Sequence, residues 1–185
     1  LNPKKIVITG GPATGKTSII KGLQNKGYRC FHEIIRHLTN EAKENGNLGS
    51  LDTNPIDSVL NPLEFNRKLL DGRKEQYLKS EKVDCSLVFF DRGIPDVLAY
   101  MDYYNQTLQS EFIETAALHK YEVIFLLPMW KEIFITDEER FESYEDALKI
   151  QDCLKRNYMN FGYSIIEVPR DSIENRIEFI LKNVK

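Results

Sequence analysis

Ile6-Val7-Ile8-Thr9 runs straight into Gly10-Gly11-Pro12-Ala13-Thr14-Gly15-Lys16-Thr17, and this junction limits what the chain can fold into more than any other stretch. The loop fits G-x-x-x-x-G-K-[ST] at every position. The β-branched run before it reads as a strand buried on both faces. Gly15 to Lys26, with Ile19, Ile20 and Leu23 on one side, reads as the helix that follows. Glycines let such a loop wrap closely, so that backbone N–H groups point inward at anionic oxygens. The positive end of the helix adds to that field. Gly10, Gly11, Pro12, Ala13, Thr14, Gly15, Lys16, Thr17 and Ser18 are therefore the expected nucleoside triphosphate-binding residues. Lys16 is placed to reach the β- and γ-phosphates of ATP, and the Thr17 hydroxyl to coordinate Mg²⁺.

Strand and helix signals alternate along the rest of the chain. Tyr28–Phe31 predicts a weaker second strand, Leu87–Phe90 a third, Val123–Leu127 a fourth and Ser164–Val168 a fifth. Helical patterning covers Ile34–Lys43, a segment opened by Asn61-Pro62 and carrying Phe65, Leu69, Leu70 and Tyr77, then Pro95–Tyr104 and Ser110–His119. It returns in a helix capped by Ser143 and in a last one lined by Ile173, Ile177, Ile180, Leu181 and Val184. Residues 45–60 show no sustained period and predict a long functional loop. Thr136-Asp137-Glu138-Glu139 resembles a capping box ahead of Arg140. Five short apolar strands separated by helices imply an α/β fold, a parallel sheet with helices on both faces. One domain over residues 1–185 is expected, with a lid at about 130–144.

Asp91 follows four apolar residues at the carboxyl end of a strand, the ligand-binding edge of a parallel sheet. It reads as a Mg²⁺-binding carboxylate, with a helix N-cap ahead of Gly93-Ile94-Pro95 as the other reading. Arg92 reads as a phosphate ligand or as a surface arginine. Glu33 falls at the end of the second strand, with Arg36 one helical turn beyond. Arg36, Arg73 and Gln76 are weaker candidates for an acceptor pocket, and an exposed helix face suits each of them at least equally on pattern alone. Phe65, Tyr77, Tyr100, Tyr103 and Tyr104 offer rings for stacking, although Phe65 and Tyr77 lie on a stripe that reads as core.

Charge and composition exclude several partners. Twenty-five Lys and Arg against 28 Asp and Glu leave a net charge of −3, so no basic field favours nucleic acid or an anionic membrane. No apolar run approaches the about 20 residues of a membrane span. Three scattered cysteines and three histidines form neither a disulfide framework nor a metal set, and a reduced, cytoplasmic protein is expected. A guanine-reading N-K-x-D is missing, since Asn25-Lys26-Gly27 is followed by Tyr28. The D-x-x-G of a GTPase switch is also absent at Asp91. A small phosphotransferase is the class that remains.

Together, Gly10–Thr17, Asp91-Arg92-Gly93-Ile94-Pro95-Asp96 and Thr136-Asp137-Glu138-Glu139-Arg140 resemble small AAA-type predicted ATPases. These are related to the ribosylnicotinamide kinase domain of the bifunctional NAD-biosynthesis regulator. The resemblance implies a nucleoside- or nucleotide-kinase-like P-loop fold with strand order 2-3-1-4-5, and Arg140 as a lid residue. The leading expectation is an ATP- and Mg²⁺-dependent kinase acting on a small nucleoside- or nucleotide-like acceptor. Lys16, Glu33, Asp91, Arg92 and Arg140 would be catalytic, with Glu33 or Asp91 as the base and Thr17 and Asp91 at the metal. The alternative is a nucleotide-binding regulatory ATPase or GTPase switch that acts through a protein partner.

Overall fold

The central strand carries apolar side chains on both faces, and each face gathers its own layer of helices. The computed structural model describes residues 2–35, 61–134 and 142–184. Strand β1 (Lys4–Thr9) pairs in parallel with β3 (Leu87–Asp91) on one side and with β4 (Val123–Leu126) on the other. Strand β2 (Arg29–Phe31) adds outside β3, and β5 (Ile165–Glu167) adds outside β4. The resulting order, β2-β3-β1-β4-β5, is the expected one.

Side chains alternate across a strand with period two, and that alternation sorts the core. Ile6, Ile8, Phe89 and Phe125 face one side, where they meet helix α1 (Lys16–Asn25) through Ile19, Ile20 and Leu23. Helix α6 (Ile173–Lys182) closes that layer with Ile177 and Ile180. Val7, Val88, Phe90 and Ile124 face the other side. There they pack on α2 (Pro62–Ser80), α3 (Ile94–Tyr103), α4 (Ser110–Leu118) and α5 (Tyr144–Asn160). Each of these large apolar side chains contributes about 1.5–3 kcal/mol by leaving water. The strands therefore have little freedom to slip by a residue, because a slip exchanges the two faces.

Helix starts follow sequence chemistry. Asn61 Oδ1 accepts the Glu64 N–H at 3.2 Å ahead of Pro62, and Ser143 Oγ accepts the Asp146 N–H at 3.1 Å. Ser172 Oγ does the same for Asn175 at 3.2 Å. Caps of this kind are worth about 1 kcal/mol each. Boundaries differ from expectation by a residue: α3 begins at Ile94, and β4 ends at Leu126, although the Leu127 N–H still donates to Thr9 O at 2.8 Å. The expected helix over 34–43 beyond residue 35, the 45–60 loop and the segment carrying Arg140 lie outside the described residues. Among the described residues no helix is long and apolar enough to cross a membrane.

Candidate active site

Where β1 ends, the chain turns too tightly for a side chain. Gly10 has φ +150°, and a Cβ there would lie 2.6 Å from Leu127 O. Gly15, at φ +86° and ψ +17°, opens α1 with no side-chain cap and no acidic residue in the first turn. The orphan N–H groups of that turn are left for a ligand, beside the positive end of the helix. Thr14 Oγ1 donates to Gly11 O at 2.9 Å and pins the loop. Lys16 Nζ lies across the cradle, donating to Gly10 O at 2.9 Å and Gly11 O at 2.7 Å. Burial first, and then the Arg92 charge, push the Lys16 ammonium down to about 7. A polyphosphate there offers this ammonium stronger acceptors than two carbonyls. Thr17 and Ser18 are exposed on the first turn of α1.

Beside the cradle, the carboxyl end of β3 and the chain after β2 build a charged cluster. Asp91 is 5% exposed, and its Oδ1 is buried without a hydrogen bond. Burial pushes its carboxyl up, and Glu33 adds to the effect. The N-cap reading of Asp91 does not hold: Gly93 is the N-cap of α3, and the Asp96 side chain serves that turn instead. Arg92 has φ +74°, a conformation that costs a non-glycine residue about 1–3 kcal/mol and that its surroundings must over-determine. They do so. Its Nε lies 2.7 Å from Glu33 Oε2, Nη1 lies 3.2 Å from Asp96 Oδ1, and Nη2 donates to Tyr100 OH at 3.1 Å.

Glu33 bridges two arginines. Its Oε1 takes Arg73 Nη2 at 2.7 Å and also the Ile34 N–H at 3.0 Å. Burial alone would raise the Glu33 carboxyl, but Arg73 and Arg92 hold it below its usual range. Arg73 also donates to Asp91 O at 3.2 Å, which ties α2 to the end of β3.

Sequence reasoning assigned no role to Asp96, which proves to be the hub. It is 1% exposed and accepts from Thr9 Oγ1 at 2.6 Å, the Gly93 N–H at 2.8 Å and Tyr158 OH at 2.5 Å, besides Arg92. The root of the phosphate loop, the start of α3 and the length of α5 are thereby fastened to one carboxylate. The available signal was its setting among Ile94, Pro95, Val97 and Leu98, a stretch too apolar for a solvated helix face.

Lys16, Glu33, Asp91 and Arg92 thus converge at one edge of the sheet, and Arg73 joins them as a buried residue, not as part of an exposed face. Gln76 instead donates to His32 O at 2.8 Å and holds the chain after β2. Arg36 and Arg140 lie outside the described residues. Phe65 and Tyr77 are core, Tyr103 and Tyr104 meet edge-on at 4.8 Å, and Tyr100 lies under the Arg92 guanidinium at 5.0 Å. A cavity of about 420 Å³ opens past β4 and β5, lined by Pro128, Glu167, Val168, Pro169, Arg170 and Phe179.

Known proteins share this architecture. Deoxyadenosine kinase from M. mycoides superposes with a TM-score of 0.69 at 17% identity, over 97% of this chain and 98% of that one. NadR, solved in complex with NR, gives 0.69 at 18% identity over 99% of this chain but 49% of its own, so this chain spans about half of NadR. Thymidylate kinase from Candida albicans gives 0.67 at 16% identity, covering 99% of this chain and 91% of that one. At these identities the likeness is one of fold, that of the P-loop nucleoside and nucleotide kinases. No curated protein matches by sequence. A family model described as an AAA domain matches residues 5–176, and the chain, with its phosphate loop and five-stranded sheet, belongs to that family.

Proposed function

We propose that this protein is an ATP- and Mg²⁺-dependent phosphotransferase whose acceptor is a hydroxyl group on a small nucleoside-like molecule. One observation carries the reading: a Glu33 carboxylate kept ionised by Arg73 and Arg92 stands at the same sheet edge as the Gly10–Thr17 cradle. Lys16 and the loop N–H groups bind the phosphate chain of the donor. Glu33 orients the acceptor hydroxyl and takes its proton, with Asp91 as the other candidate base. Arg92 lies against Gly10 O at 3.4 Å, close enough to face charge on the transferring group.

The residues present suit Mg²⁺, which is commonly held by one or two side chains plus substrate phosphates. The unpartnered Asp91 Oδ1 and the exposed Thr17 hydroxyl supply such a pair. When bound, the ion neutralises charge on the β- and γ-phosphates. The cavity past β4 and β5 lies at the ligand-binding edge and offers room for the donor's base. Among the described residues both arginines near Glu33 already face protein carboxylates, which favours a neutral alcohol over a phosphorylated acceptor.

The test is a panel of nucleosides, their monophosphates and sugars, each incubated with ATP and Mg²⁺. ADP release far above background with a nucleoside, and weaker release with its monophosphate, is expected. Background rates across the whole panel would refute the kinase reading in favour of the regulatory switch. Arg140→Ala is expected to slow transfer by about 10³-fold if that residue closes over the phosphoryl group, and an unchanged rate removes it from the mechanism.

A further inference from the structure

Buried arginines are normally matched by buried carboxylates, and Arg176 is not. It lies in the first turns of α6 and is 3% exposed. Among the described residues no acidic side chain pairs with it; burial alone acts on it and lowers its basicity. The start of a helix is also the wrong end for a cation. Its Nε is buried without a partner, and Nη2 donates to a single acceptor, Thr14 O, at 2.9 Å. Nη1 would lie 3.0 Å from any Cβ added at Gly15, so the guanidinium presses directly on the loop.

Thr14 O and the Gly15 N–H belong to one trans peptide, and in such a unit the two point in opposite directions. A cation on the oxygen therefore fixes the plane of that peptide, polarises it, and leaves the N–H pointing away from the guanidinium. We infer that Arg176 is a positioning residue for the phosphate cradle, aiming the Gly15 N–H through the Thr14 carbonyl. The bound polyphosphate is then the countercharge that this buried cation otherwise lacks. The inference rests on the proposed nucleotide site and extends it to a residue 162 positions away in sequence. It also gives Gly15 a second reason to be glycine besides its left-handed backbone.

Calorimetric titration with two probes, ATP·Mg²⁺ and inorganic tripolyphosphate, tests it on the full chain. Tripolyphosphate has neither base nor sugar, so an equal loss with both probes places the effect in the cradle. Arg176→Met and Arg176→Gln are expected to weaken both by about 10-fold or more, the order of one charge-assisted hydrogen bond. Arg176→Lys keeps the charge without the fork and is expected to bind only about threefold more weakly. Wild-type affinity in every variant that folds, with only Tm lowered, overturns the inference and leaves Arg176 a packing residue. If the unsubstituted protein binds neither probe, the nucleotide site itself fails. If it binds both and Lys16→Ala does not, while Arg176→Met binds as before, only the role of Arg176 fails.

Discussion

Replacing Glu33 with glutamine keeps the side chain's shape and removes the charge that two arginines share. Glu33 Oε1 is 2.7 Å from Arg73 Nη2, and Oε2 is 2.7 Å from Arg92 Nε. The arginine side chains are 4% and 12% exposed, so water cannot replace the carboxylate. An amide has one acceptor oxygen and sets an NH₂ group against a guanidinium that cannot accept. Removing one partner of a buried pair costs about 3–5 kcal/mol. Glu33 is 18% exposed and the amide oxygen keeps one bond, so the lower end, ~3 kcal/mol, applies. For a chain of 185 residues, each 1 kcal/mol moves Tm by about 2–4 °C, giving a fall of ~6–12 °C near neutral pH.

The pH dependence has a definite sign. Glu33 is held below its ordinary value by Arg73 and Arg92 despite burial. Its stabilisation is therefore complete above the unfolded-state value of about 4.3 and is lost as pH falls through the lower folded value. Thermal unfolding of both proteins from about pH 7 down to about pH 3 should show the gap in Tm wide at neutrality and closing in acid. The same variant should bind ATP normally yet lower kcat. Equal Tm at neutral pH, or a gap that stays constant into acid, refutes the bridge as the source of stability.

The other predictions concern neighbouring charges. Asp91→Asn should raise Tm at neutral pH, because burial and Glu33 disfavour the ionised carboxylate, yet abolish Mg²⁺-dependent turnover; a lower Tm contradicts this. ATP binding near pH 8 should take up a proton, because free Lys16 titrates at about 7 and polyphosphate favours its charged form. Calorimetry in two buffers of different ionisation enthalpy measures that uptake, and no buffer dependence argues against it. Asp96→Ala should lower stability by about 3–5 kcal/mol in urea unfolding, since it takes the carboxylate from Arg92 Nη1, leaving that arginine the Glu33 carboxylate, and strips the buried Tyr158 and Thr9 hydroxyls of their acceptor; a loss below ~1 kcal/mol would show that they find other partners.

The strands that were easy to read are those buried on both faces. Ile6–Thr9, Leu87–Phe90 and Val123–Leu127 are near-continuous apolar runs because helices cover both sides of β1, β3 and β4. The edge strands β2 and β5 are three residues each and half-exposed, so their signal is weak and rests on spacing. The phosphate loop was legible because its chemistry is local: the donors, Lys16 and Thr17 occupy one short stretch. Nothing local ranks Asp91 as ligand against cap. That choice depends on the Asp96 side chain reaching back to the Gly93 N–H, which frees Asp91 from the helix start.

The residues that sequence reading undervalued share one trait: each is a charge placed on an apolar stripe. Phe65, Leu69, Arg73 and Tyr77 succeed one another at intervals of four along α2, so Arg73 faces the core as surely as its neighbours do. Asp96 sits among apolar residues in α3, and Arg176 lies beside Ile177 and one turn before Ile180 on the buried side of α6. A stripe position fixes burial, and a buried charge must find a partner or remain destabilising. What the pattern lacks is the partner's identity, because Arg73 meets Glu33 across 40 residues and Arg176 meets Thr14 across 162. Only the sheet order brings those ends together. Two of these three charges resolve onto carboxylates or hydroxyls of the protein, and Arg176 resolves onto a lone carbonyl of the phosphate loop. That remaining imbalance sits where a polyanion is proposed to bind, so the charge missing from the chain is the one expected of the ligand.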